Sequence, residues 1–166
     1  MITGLLIVRL TLATLQIPAS ATPGQGQVDP CSLLKPAELR SLAPNVGVGR
    51  GVSSTVPAVG SAKCEYAWGT SGKVAVMVSA AARLYPRLEP EMIKQGLFIS
   101  ARAAGQNGAV IPGVGDAAIV FSDSPASVKT TALVKTVLLQ IDVDGPDARG
   151  KQEQVIALLK AAAERL

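Results

Sequence analysis

A chain of 166 residues without a single histidine lacks the commonest general base and the commonest protein ligand for transition metals. Aromatic residues make up only 3% of it, too few for the stacking platforms on which carbohydrates or single-stranded nucleic acids lie. Its net charge of +4 comes from scattered lysines and arginines rather than a basic stripe, which disfavours nucleic acid as a partner and suits solubility.

The chain opens on an apolar leader. Gly4–Val8 and Leu10–Leu15 are largely apolar, Arg9 interrupts them, and Pro18 breaks any helix ahead of Ala19-Ser20-Ala21. An apolar run closed by a small-residue triplet is what signal peptidase reads, so residues 1–21 are expected to be a cleaved signal peptide. The product is then periplasmic or extracellular. No positive side chain precedes the run, and Arg9 sits inside it, as a start site placed too late would produce. A short membrane anchor is the alternative, but the uncharged runs fall short of the ~20 apolar residues that a spanning helix needs. No stable membrane insertion is expected after cleavage. Cys31 follows Val28-Asp29-Pro30 rather than small residues, which argues against a lipid anchor. Residues 22–28 (TPGQGQV) read as a flexible lead-in, and 29–166 as a single domain able to build its own core.

Within that domain a first helix is predicted at Pro36–Leu42, with proline at its first position, Glu38 in its first turn and Pro44 closing it. Residues 45–60, rich in glycine, serine and valine, read as a loose strand or loop. Ala62–Trp68 and Lys73–Ser79 alternate as strands, framed by Gly69 and Gly72, and make a hairpin. A helix is predicted from Pro90 or Glu91 to about Ala104, with Met92, Gly96, Ile99 and Ala103 as the face that packs on a sheet. Phe98, between Lys94 and Arg102 at helical spacing, is either a contact point or a ring covered by aliphatic stems. A loop at 107–116 precedes strands at Ala117–Phe121 and across 128–144, the latter one strand or two. Asp147 is expected to cap a final helix whose apolar stripe is Val155, Leu158, Leu159, Ala162 and Leu166. Strands in runs punctuated by helices imply an α+β fold, an antiparallel sheet with helices packed on one face.

The two cysteines, Cys31 and Cys64, suggest one disulfide in an exported chain. A redox thiol pair is the alternative, although such pairs usually sit close together in sequence. Ser32-Leu33-Leu34-Lys35 matches the S-x-x-K spacing of a serine nucleophile and its base, echoed by Ser122-Asp123-Ser124 and Lys129-Thr130-Thr131. The echo departs from that pattern at Ser124 and Thr131, and the helical domain between the motifs is missing. Asp142, Asp144 and Asp147 read as a solvated strand end and a helix cap, with a weak calcium site as the alternative. Gly47-Val48-Gly49-Arg50-Gly51 lacks the lysine of a phosphate loop and reads as a flexible turn. Gly113-Val114-Gly115-Asp116-Ala117-Ala118 reads as a tight lead into a strand, Asp116 bonding its own turn, or as a ligand-contacting loop.

Asp29-Pro30-Cys31-Ser32-Leu33-Leu34 with Pro36-Ala37-Glu38-Leu39, then Cys64-Glu65-Tyr66-Ala67-Trp68, then Gly113-Val114-Gly115-Asp116-Ala117-Ala118 together resemble the domain of unknown function 3558 family of small exported bacterial domains. That resemblance implies a Cys31–Cys64 bridge and an α+β domain with no assigned activity. It departs where Lys35 replaces a capping residue and where a lipidated cysteine is lacking. The expectation is an exported, non-catalytic binding domain without catalytic residues, metal or cofactor, whose ligand is a small apolar molecule or an envelope protein. A contact-only subunit or inhibitor is the alternative, and a serine hydrolase using Ser32 and Lys35 a distant one.

Overall fold

Period-two alternation in this chain builds two antiparallel meanders that meet edge to edge. The computed structural model describes residues 28–42, 47–68 and 71–166; the leader with its cleavage site, residues 22–27, Pro44 and Gly69 lie outside them. After a 3-10 turn at Pro30–Ser32 come α1 (Pro36–Leu39), β1 (Val52–Val56), β2 (Ser61–Trp68), β3 (Gly72–Ala80), α2 (Ala81–Leu84) and α3 (Pro90–Ala103). Then follow β4 (Gly108–Val110), β5 (Ala117–Ser124), β6 (Ser127–Val134), β7 (Val137–Asp144) and α4 (Gln152–Ala163). The sheet order is β1-β2-β3-β7-β6-β5-β4, so β7, the last strand of the second meander, pairs with β3, the last of the first. Every pairing is antiparallel.

The architecture is the α+β one that the sequence implies, an antiparallel sheet with α1 and α4 packed on one face and one disulfide. On that face Cys64, Tyr66, Val74, Val76, Leu139 and Ile141 meet Leu33, Leu34 and Leu39 from the first segment and Val155, Leu158, Leu159 and Ala162 from α4. The α4 stripe is therefore the predicted one. Lys135, in the left-handed region (φ 56°), and Thr136 form a two-residue turn, so residues 128–143 are two strands rather than one.

Several expectations are corrected. The first helix ends at Leu39 and continues to Leu42 only as turns. The span 107–116 is not all loop, because β4 lies within it and pairs with β5. Asp147 is not the cap of α4: it adopts φ 56°, a 3-10 turn at Arg149–Lys151 intervenes, and Lys151 occupies the cap position. The largest correction concerns α3. Met92 and Ile99 are 56% and 63% exposed, while Ile93 and Ala101 are buried and Leu97 is half-buried. Ile93 packs with Leu133 and Leu138, which leave β6 and β7 on the reverse side of the sheet from Ala132 and Leu139. α3 thus adds a cover to the reverse side at the β4–β6 end.

Candidate functional site

The first segment folds through short-range polar bonds that its sequence supplies. The Asp29 carboxylate accepts from the Cys31 N–H at 2.9 Å, which shapes the 3-10 turn. Pro36 starts α1, and the Glu38 side chain reaches back to accept from the Lys35 N–H at 2.7 Å. This turns Cys31 towards β2, where it bridges Cys64 with the two Cα atoms 5.1 Å apart. The disulfide is therefore formed. The Tyr66 hydroxyl, also from β2, donates to the Cys31 carbonyl at 3.0 Å. Burial, with the Asp29 charge second, pushes its pKa up, so the phenol keeps its proton and remains the donor.

Beside this bridge lies an open groove of about 580 Å³. Leu34, Pro36 and Leu39 form one wall; Val48, Gly49, Gly51 and Ser53 form the other; Cys31 and Tyr66 lie between, and Arg50 stands exposed beside them. The groove exists because the edge carries so little side chain. A Cβ at Gly51 would sit 2.6 Å from the Tyr66 ring and 2.7 Å from the Cys64 sulfur, so only glycine lets the backbone approach there. Residues 47–51 are accordingly not a free turn. Val48 bridges Trp68, and the Gly49 N–H donates to the Ala67 carbonyl at 2.8 Å, extending the sheet edge past β1. Only Arg50, Ser53 and Tyr66 bring polar side chains to the lining, so the groove offers apolar contact with one cation at its rim.

The other singled-out residues do not converge on it. Ser32 belongs to the 3-10 turn and its hydroxyl donates to the Asp29 carbonyl at 2.7 Å, while Lys35 is extended backbone ahead of α1, so no helix carries both. Ser122 and Lys129 lie across β3 and β7 from them. The Ser122 hydroxyl donates within the β5–β6 turn to the Ser124 and Ser127 carbonyls, and Lys129 pairs with Asp123 at 2.6 Å. Gly113 and Gly115 adopt φ of 72° and 54°, and a Cβ at Gly115 would lie 2.3 Å from the Leu133 carbonyl oxygen. The Asp116 carboxylate accepts from the Lys135 N–H at 2.8 Å, so it ties the β6–β7 turn rather than its own. A hollow of about 400 Å³ lies beside this loop, between residues 112–115 and Val134, Lys160, Ala163 and Glu164. Phe98 is half-buried, and neighbouring Lys94 pairs with Glu91 at 3.5 Å.

The reverse face of β2, β3 and β7 is charged. Glu65 lies 3.0 Å from Lys63 and 3.4 Å from Lys73, and the hydrogen bond to Lys63 holds its carboxyl below the usual range. Asp142 is pushed up instead, because burial outweighs the attraction of Lys129. It lines a hollow of about 160 Å³ together with Asp144, Lys63, Lys73 and Met77. Asp147 lies beyond the turn, and among the described residues no group of three acidic, cysteine or histidine side chains is placed to hold a metal ion. Among them too, no helix is long and apolar enough to cross a membrane.

No family model, curated protein or solved structure matches the chain. Sequence reasoning missed the groove itself. Its only signal is the spacing of Gly49, Gly51 and Ser53 along one side of an edge segment, opposite Tyr66.

Proposed function

We propose that this chain is an exported, non-catalytic binding domain that holds a small apolar molecule with an acidic end in the groove beside the Cys31–Cys64 bridge. One observation carries the reading: an apolar groove of about 580 Å³, within the roughly 300–1,000 Å³ typical of small-molecule sites. Charge supports the acidic end. Arg50 stands exposed at the rim, the one cation among the lining residues. The apolar leader and a formed disulfide support export to the periplasm or the extracellular space. The likeness to the domain of unknown function 3558 family agrees with an exported domain of this kind and assigns it no reaction.

Titration calorimetry with dodecanoate and with dodecanol tests this reading. Dodecanoate should bind in the micromolar range, at least ~10-fold tighter than the alcohol, the ratio expected of one charge-assisted contact. Arg50→Ala should remove most of that difference and leave alcohol binding unchanged. If neither compound binds and native mass spectrometry finds no added mass on protein taken from its own host, the reading fails. A contact-only role is the second reading, favoured by the exposure of Met92 and Ile99 on α3.

A further inference from the structure

Four of the seven large hydrophobic side chains that stand exposed among the described residues fall within one short stretch, at Tyr85, Leu88, Met92 and Ile99. Two of these belong to α3, which buries Ile93 and Ala101 against the sheet and so turns a second apolar stripe outward. Single exposed hydrophobics are ordinary, whereas a run along one helix face marks a contact surface. Gly96 lies in the middle of that outward stripe, four residues after Met92 and three before Ile99.

Glycine is the poorest helix former after proline, and in a helix interior it needs a reason. Nothing among the described residues gives one. A Cβ added at Gly96 would meet no atom within 4 Å, and its backbone is ordinary helix. A glycine facing open space on a helix leaves a notch in which the backbone of a second, crossing helix can approach closely.

We infer that the outward face of α3 is an interface for a second copy of this chain, the two helices crossing antiparallel at Gly96. The pattern is its own complement. Glu89 and Glu91 stand at the N-terminal end of α3 and Arg102 in its last turn. Reversing one copy about Gly96 sets Met92 near the other copy's Ile99 and brings the acidic end of each helix to the basic end of its partner. The helix dipoles then oppose one another as well. A two-fold axis through Gly96 makes the contact isologous and closed, which gives a dimer rather than a filament. The helix covers the β4–β6 end of the reverse face, and the groove opens beside β1 at the other end of the sheet, so each protomer keeps its groove free. The dimer therefore does not depend on the ligand reading.

Sedimentation velocity on the full chain, expressed from its own start codon and purified as its host delivers it, tests the interface. Over a ~100-fold range of concentration the wild type should shift from monomer to dimer. Ile99→Glu should weaken that association by at least ~100-fold, and Gly96→Leu by a similar factor because the added side chain fills the notch. Both changes face open space, so the fold should hold: Ile99→Glu should leave the monomer's circular dichroism spectrum and thermal midpoint near wild type, and Gly96→Leu should not lower them. Glu91→Arg should weaken the dimer, and Glu91→Arg combined with Arg102→Glu should restore it, since the swap recreates the complementary ends. A wild type that stays monomeric throughout overturns the inference, and this arm stands whether or not any variant folds. A dimer that Ile99→Glu leaves unchanged overturns it too, because the copies would then meet elsewhere.

Discussion

Under α4, Val76, Ile141 and Thr130 lie side by side on adjacent strands and are wholly sealed from solvent; one residue away along the same strands, Asp142 and Lys129 face the open reverse side. Thr130 is accommodated there because its hydroxyl donates to the Ile141 carbonyl at 2.9 Å, which satisfies that buried polar group. The reverse face changes character along its own length. Where it is open it carries Lys63, Glu65, Lys73 and Asp142, and where α3 covers it, it carries Leu133 and Leu138. The side chains on each stretch of sheet therefore follow what covers it, apolar beneath a helix and charged where the face is open. A one-residue slip in register would exchange Ile141 for Asp142 beneath α4, which is why the register here is tightly specified.

Paired substitutions on β7 probe that contrast most strongly. Ile141→Ala should cost towards the upper end of about 2–5 kcal/mol, because strands on both sides and α4 above hold the walls of the new cavity apart. Gln140→Ala, next door on the reverse face, should stay within about 0.5 kcal/mol. Urea unfolding of the two variants measures both, and equal losses would mean that the faces do not differ as described. Next in size is the bridge, which ties the first segment to the sealed face at Cys64. Reducing Cys31–Cys64, which closes a loop of 33 residues in sequence separation, should remove roughly 3–4 kcal/mol by freeing the unfolded chain. Thermal melts with and without reductant should then differ by several degrees, and coincident melts would deny the bridge this role.

The same contrast explains what the sequence made legible. Alternation at Leu139, Ile141 and Val143 against the more exposed Gln140 and Asp142, and the α4 stripe at Val155, Leu158, Leu159 and Ala162, each set one apolar row against a polar one, so periodicity points the right way. α3 has two apolar stripes, and periodicity alone does not choose between Met92–Gly96–Ile99 and Ile93–Leu97–Ala101. The choice is made by Leu133 and Leu138, which are distant in sequence. β4 is three residues long and contains no alternation to read. The Asp147 cap failed because Pro146 and the left-handed backbone at 147 turn the chain once more before α4 begins. The groove was illegible for another reason: it is made by side chains that are missing, and glycines in sequence read equally well as a loop.

The smallest test lies at the margin of the sealed face, where Arg165 after α4 reaches back to the first segment. Its guanidinium donates to both Glu38 carboxylate oxygens and to the Leu33 carbonyl, closing α4 over α1. The hydrogen bond from Arg165 holds the Glu38 carboxyl below its ordinary value of 4.5, with the Lys35 backbone adding to it against a burial effect that raises it. A carboxyl lowered on folding stabilises the protein above its unfolded pKa and stops doing so as pH falls through the lower folded value. Glu38→Gln keeps the shape and the Lys35 contact but removes the charge. It should therefore cost about 0.5–1 kcal/mol at neutral pH, the size of a partly exposed ion pair. The gap between wild type and variant should begin to close below pH 4.5 and vanish once Glu38 is protonated in the wild type as well. Urea midpoints of the two proteins across that range decide the matter. A gap that persists unchanged into acid would assign the contact to packing and neutral hydrogen bonds rather than to charge, and the rim of the sealed face would then differ from its centre only in exposure.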